Sequence, residues 1–185
     1  MLKFAVVKQD IDYDGNQLRS HWVYDKFDLL GDAAVAFCGM AMLSAEELVD
    51  LGDARDKEGI YSPYMLHFII EHFDPDLEKT IYRQRLFLHL VMEELGRFEI
   101  YPQRIGDRLY VKQAKLTVST ASLTVVSGII HLGLNIRTED TPVKAVGLEE
   151  LGLHDIPAFA ERVLVAYQRE LESITDARAK VRPLA

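Results

Sequence analysis

The chain has very little of what would name a reaction. Cysteine occurs once in 185 residues, at Cys38, which excludes an internal disulfide and makes a reducing compartment the expected one. That thiol ends the run Ala33-Ala34-Val35-Ala36-Phe37-Cys38, the setting of a small buried hydrophobe more than of a nucleophile. No run approaches the ~20 apolar residues of a spanning helix. The opening Leu2-Lys3-Phe4-Ala5-Val6-Val7 is too short for a secretory leader, so a cytoplasmic location is expected. Gly-x-Ser-x-Gly and Gly-x-x-x-x-Gly-Lys are both missing, which sets aside serine hydrolases and P-loop nucleotidases. Positive charge is in deficit: the formal charge of −8 argues against a broad grip on nucleic acid or anionic membrane. Repeats, low-complexity tracts and Pro/Gly/Ser-rich linkers are also missing, so one domain is expected.

What is present is the balance of a folded protein, 49% hydrophobic and 27% charged, with enough chain to bury a core unaided. Leu2 to Val7 reads as a strand and Asp12-Tyr13-Asp14-Gly15-Asn16 as a turn. A small-residue strand follows Gly31-Asp32. Ser44, with Glu47 three residues on, marks a short capped helix. The run from Ser62 to Phe73 suits either a helix opened by Ser-Pro or a buried strand, with the strand preferred. Asp74-Pro75 then opens a long helix that closes at Gly96, with Leu77, Ile81, Leu88, Val91 and Leu95 as its apolar stripe. Residues 109–136 read as a meander of antiparallel strands. In the last of them Ile130, Leu132, Leu134 and Ile136 alternate with His131, Gly133, Asn135 and Arg137, a period of two. A final helix spans residues 156–179, with Phe159, Val163, Ala166, Leu171 and Ile174 inward. The class is α+β, a mostly antiparallel sheet packed against helices.

Residues 106–135 hold the best candidates for chemistry. His131 and Asn135 share one face of a strand, and Gly133 between them would let a ligand approach the backbone. They line a cavity if that face is covered and are ordinary solvated residues if it is open. Lys115, entering a strand before Thr117 and Ser119, could meet a phosphate or carboxylate as a point charge, or be a solvated turn lysine. Arg83 and Arg85 point apart on a helix, and Arg85 is the one expected to clamp an anion. His67, Glu71 and His72 fit no defensible zinc spacing, so no metal is assigned, although metal-dependent hydrolysis through His67 and Glu71 stays as an outsider. On a strand, His67 and Glu71 would share a face and His72 would point away. Trp22 is expected to be buried against the sheet or under a pocket mouth.

The pattern Asp107, Leu109, Val111, Lys115, Ser119, His131, Gly133, Asn135 is similar to the second half of the catalytic domain of biotin and lipoate protein ligases. In that domain an acidic residue and two apolar ones precede a lysine that holds the acyl-adenylate, and a glycine-containing strand follows. The resemblance covers residues 74–137. It implies a ligase-like fold, Lys115 in the catalytic lysine's place, and a small carboxylate or nucleotide as ligand, bound with Arg85, Asp107, Ser119, His131, Gly133 and Asn135. One departure is plain: those ligases wrap the acyl-adenylate in a Gly-rich, Arg-containing loop, whereas residues 53–59 here hold a single glycine, too few converging amides for a phosphate. Over its full length the chain resembles a prokaryotic family called domain of unknown function 366. The residues that carry this are Asp12-Tyr13-Asp14-Gly15, Met65-Leu66-His67-Phe68, Glu71-His72-Phe73-Asp74, Arg83-Gln84-Arg85-Leu86 and Ile130-His131-Leu132-Gly133-Leu134-Asn135. That family brings no activity with it and specifies no cofactor. A catalytic domain and a non-catalytic, homodimeric binding or scaffold protein both remain open.

Overall fold

The computed structural model describes residues 1–49, 55 and 59–183. The first strand, β1 (Lys3–Val6), lies parallel to β2 (Ala33–Leu43), the remaining pairings of the large sheet being antiparallel. Between these two strands the chain makes the Asp14–Gly15 turn and a short helix, α1 (Trp22–Phe27). A single 3-10 turn, Ala45–Glu47, follows β2. The preceding Ser44 is held by the Glu47 carboxylate, which accepts from the Ser44 amide and hydroxyl, each at 2.8 Å, the glutamate half of a capping box; the Glu47 amide donates to the Ser44 carbonyl. Then come β3 (Ile60–His72), α2 (Leu77–Gly96), β4 (Gln103–Ile105), β5 (Arg108–Val111), β6 (Ala114–Lys115), β7 (Thr117–Leu123), β8 (Gly128–Arg137) and α3 (Ile156–Lys180). Among the described residues the large sheet runs in the order β1-β2-β3-β8-β7, and β4-β5-β6 form a separate small sheet. The meander expected over residues 109–136 is therefore split between two sheets. The α+β class stands.

The ambiguous run from Ser62 is a strand. Its even residues, Leu66, Phe68 and Ile70, pack with Ala34, Ala36, Leu132 and Leu134 beneath α2 and α3. His67 and Glu71 share the other face, and His72 points to the helices, where its Nε2 lies 2.9 Å from the Tyr167 hydroxyl. The long helix starts two residues later than Asp74-Pro75 suggested: Asp76 is the cap and accepts from the Lys79 amide at 2.9 Å. Asp74 instead takes Arg83 and Lys79 as ionic partners. The expected apolar stripe of α2 is buried at Leu88, Val91 and Leu95. At its first turn Leu77 is 47% exposed, while Thr80 and, further on, Gln84 are buried. In α3, Phe159, Val163 and Tyr167 are fully buried and Ile174 is exposed. Glu94 of α2 accepts from Arg162 of α3 at 2.9 Å, tying the two helices together.

The opposite face of the sheet has its own core. Val35, Phe37, Met65, Ile69 and Ile129 meet Tyr13, Trp22 and Val23. Trp22 is 4% exposed and packs edge-on to Phe27 and tilted against Phe37, so the segment before β2 covers the sheet where the helices do not. Cys38 is half-buried, and burial, then Asp10, pushes its thiol up to about 11 against a weaker opposing bond from Tyr64. That keeps it a protonated packing group at neutral pH. No helix among the described residues is long and apolar enough to cross a membrane.

Candidate ligand site

The two-residue period of β8 sends His131, Gly133 and Asn135 to the face away from the helices. Register fixes what stands beside them. Gly133 pairs with His67 of β3 and Val118 of β7, and His131 pairs with Ile69 and Thr120. This face is covered, not solvated: His131 is 2% exposed and Asn135 6%.

Tyr13 forms the cover. Its amide donates to the Met40 carbonyl at 2.8 Å and its carbonyl accepts from the Met42 amide at 3.1 Å. The Tyr13 ring then lies on the His131 ring, centroids 3.8 Å apart and 13° from parallel. Beneath it, His67 Nδ1 and His131 Nε2 are 3.1 Å apart, and His67 Nε2 is 3.3 Å from the Gly39 carbonyl. Burial drives the His67 imidazole down to about 3, against a small opposing pull from the Gly39 carbonyl. Burial, then the neighbouring His67, holds His131 well below the ordinary histidine range. Both rings are therefore neutral at physiological pH.

At the other end of β8, the Asn135 carboxamide donates to the Lys115 carbonyl at 3.1 Å, and the Asn135 amide donates to the Leu116 carbonyl at 2.9 Å. Lys115 is also held through its own amide, which donates to Lys144 at 2.9 Å. Lys115 and Asn135 line one narrow cleft of about 40 Å³ with Met65, Val118, Tyr61 and Thr141. His131 lines a neighbouring cleft of about 30 Å³ with Tyr13, Leu43, Glu47 and Thr120. Ile60 and Val118 belong to both walls. Between them a Cβ on Gly133 would sit 2.8 Å from Met65 Cε and 3.2 Å from Val118 Cγ2, so the room at this glycine is filled by those two side chains.

The remaining sequence candidates lie on the other side. Ser119 pairs with Leu132, faces the helices, and its hydroxyl accepts from Gln84 Nε2 at 2.5 Å. Arg85 on α2 places Nη1 3.9 Å from Asp107 Oδ1, and Arg108 Nε is 3.8 Å from the same oxygen. Neither Arg85 nor Asp107 lines the two clefts. Arg85 Nη1 is a buried nitrogen without a hydrogen-bond partner among the described residues. The structure thus brings Lys115, Asn135, Gly133 and His131 onto one face and turns the Arg85, Asp107 and Ser119 side chains to the other, while Ser119 still forms part of the wall of the His131 cleft. Residues 53–59, apart from Arg55 and Gly59, lie outside the described residues. Among the described residues no group of three or more His, Cys, Asp or Glu side chains is arranged to hold a metal.

Sequence reasoning missed Tyr13 and the pairing of His67 with His131. The turn at Asp14–Gly15 accounts for Tyr13's neighbourhood without requiring its ring to be buried. The only sequence signal for the pair is that both histidines sit on the same-facing positions of apolar strands.

A family model described as a domain of unknown function (DUF366) matches residues 2–182. The chain belongs to the DUF366 family. It is 35% identical over 189 residues to the uncharacterized protein MJ0805 of Methanocaldococcus jannaschii, which covers 99% of this chain and 86% of that one. A solved structure of a protein of unknown function from Pyrococcus horikoshi superposes with a TM-score of 0.92, at 37% identity and over the whole of both chains. Biotin protein ligase from Aquifex aeolicus, in complex with biotin and ATP, superposes at a TM-score of 0.59 over 94% of this chain and 72% of the ligase, with 15% identity. A putative lipoate protein ligase from T. acidophilum, with bound lipoic acid, gives 0.58 over 92% and 86%, with 13% identity. At those identities the likeness is one of fold. This DUF366 chain has the α+β architecture of the biotin and lipoate ligase catalytic domains.

Proposed function

We propose that this DUF366 protein binds a small carboxylate or nucleotide on the helix-free face of its sheet, with acyl or adenylyl transfer as the reaction if it is catalytic. The observation that carries the reading is the junction of Lys115 with Asn135: they share a cleft, and the Asn135 carboxamide holds the Lys115 backbone at 3.1 Å. A lysine on a fixed backbone can neutralise a phosphate or carboxylate without first ordering its own chain. His131 orients the ligand's other end from the adjoining cleft. Arg85, Asp107 and Ser119 serve from behind, fastening β5 and β7, which flank Lys115, to α2. The ligase-like fold supports this placement.

A second reading, a non-catalytic and homodimeric binding or scaffold protein, draws support from size. Clefts of about 40 and 30 Å³ admit one functional group each, whereas small-molecule sites run from roughly 300 Å³ upward. Thermal shift separates the two readings. A ligand at about 100 times its Kd adds about 2.7 kcal/mol of stability, so ATP, biotin or lipoate should raise Tm, and Lys115→Ala should abolish that shift while leaving the ligand-free Tm within a degree or two. No shift with any of these, together with a dimer by light scattering, selects the second reading.

A further inference from the structure

The hydrogen-bond chain through the paired histidines has only one consistent proton assignment, and it has a chemical consequence. A carbonyl oxygen can only accept, so the Gly39 carbonyl requires a proton on His67 Nε2, 3.3 Å away. A neutral His67 then has a bare Nδ1, which accepts across 3.1 Å from His131 Nε2–H. A neutral His131 protonated on Nε2 is left with a lone pair on Nδ1. No described residue donates to that atom, nor is it among the sealed, unpartnered buried atoms, where Arg85 Nη1 stands alone among the described residues. His131 is part of the wall of the cleft it shares with Tyr13, Glu47 and Thr120.

We infer that His67 is a positioning residue that locks His131 in the Nε2–H tautomer, and that His131 thereby offers the cleft a fixed acceptor that takes an N–H or O–H group and turns away carboxylate and phosphate oxygens. The ligand-class half of this rests on the proposed ligand face; the tautomer half does not. The surroundings agree with it. Phe37 is 5.2 Å, centroid to centroid, from His67, and Tyr13 is stacked on both imidazoles, so apolar ring faces surround the pair and disfavour an imidazolium. The titratable groups that face the pair are Tyr13 on the covering segment and Glu47 at the cleft wall. Burial, then Asp14, holds the Tyr13 hydroxyl protonated well above the working pH. The acceptor is therefore fixed by the fold and does not depend on the ligand.

Long-range ¹H–¹⁵N correlation spectra of the histidine side chains test this on the unliganded chain near neutral pH. The expected result is an unprotonated Nδ1 and a protonated Nε2 for His131 and for His67 alike. An Nδ1–H tautomer, a tautomer mixture or an imidazolium at His131 would overturn the lock. His67→Phe keeps a ring and removes both nitrogens, and should convert His131 to a tautomer mixture. His67→Gln keeps a donor and an acceptor, and should retain the Nε2–H form. A single Nε2–H form in His67→Phe, with the fold verified by circular dichroism, would show that His67 does not position it. For the ligand class, titration with acetamide should move the His131 Nδ1 resonance and acetate should not. An acetate-induced shift, or silence with acetamide, sinks the donor assignment. Failure of ATP, biotin and lipoate to bind would leave the tautomer result untouched, so the two proposals fail separately.

Discussion

Glu71 shows how one side chain can hold two distant loops. It is a carboxylate 1% exposed, and no cation touches it among the described residues. One of its oxygens accepts from the His21 amide at 2.9 Å and from the Ser127 hydroxyl at 2.7 Å. The first bond anchors a residue with φ of 62° at the entrance to α1; the second anchors the turn between β7 and β8. Hydrogen bonds to a charged group contribute about 1.5–3 kcal/mol each, and a buried donor left without a partner costs about 1–3 kcal/mol. Glu71→Ala should therefore lower unfolding free energy by about 3 kcal/mol, read from the urea midpoint at unchanged slope. Glu71→Gln keeps an acceptor and should lose about half of that. An Ala variant within 0.5 kcal/mol of the parent, roughly the scatter of a surface substitution, would mean that water satisfies both donors.

Strand packing shows the same dependence on a few atoms. The segment before Gly15 runs beside β2, with the Ile11 amide donating to the Cys38 carbonyl and the Tyr13 amide to the Met40 carbonyl, both at 2.8 Å. Gly39 lies between those acceptors. A Cβ there would sit 2.0 Å from the Ile11 carbonyl oxygen, a backbone atom that cannot rotate aside, and the β2 register shifts between Gly39 and Ala41. Gly39→Ala must therefore push the segment off the strand and lift Tyr13 from His131, at a cost of about 2–3 kcal/mol, of the order seen for overpacking. Hydrogen exchange should report it as lost protection at the Ile11 and Tyr13 amides, with α2 and α3 unaffected. Full protection at both would refute the close-approach role. The sequence carried the elements whose own pattern decides them: the alternation of Ile130, Leu132, Leu134 and Ile136, and the length of α2 and α3. It did not carry the parallel pairing of β1 with β2, the existence of α1 or the small sheet of β4, β5 and β6, which depend on contacts between segments. The polar face of β8 was the least legible. A period of two separates His131, Gly133 and Asn135 from their apolar neighbours, but water and a buried ring partner select the same residue types. Only the register with His67 and the arrival of Tyr13 show that the face is closed.

At the scale of the molecule, the sheet divides two environments. Its helix-side face is an apolar core closed by α2 and α3. Its other face holds two neutral imidazoles inside a ring-lined shell, and that has a global consequence. An unfolded histidine takes up its proton near its ordinary value of about 6.5, whereas folded His67 does so only at about 3 and His131 also well below the ordinary value. Between those limits the unfolded chain binds more protons than the native one, so stability rises with pH. The full contribution is present above about pH 6.5 and drains as pH falls below it. Each imidazole supplies a limiting slope of about 1.4 kcal/mol per pH unit. Asp32 and Asp74 act lower on the scale. Burial raises each carboxyl, but His72 and the Phe73 amide at Asp32, and Arg83 and Lys79 at Asp74, hold both below the ordinary aspartate value, Asp74 at about 2. Their stabilisation is present above about pH 4 and lost beneath it. The decline between pH 6.5 and 5 therefore belongs to the histidine pair. Urea unfolding across that interval should show it in the parent chain, and His67→Phe, which leaves one titrating imidazole on this face, should show about half the slope. A parent profile that stays level down to pH 5 would mean that the pair is reached by protons in the native state, and with that the neutral, closed face would be lost.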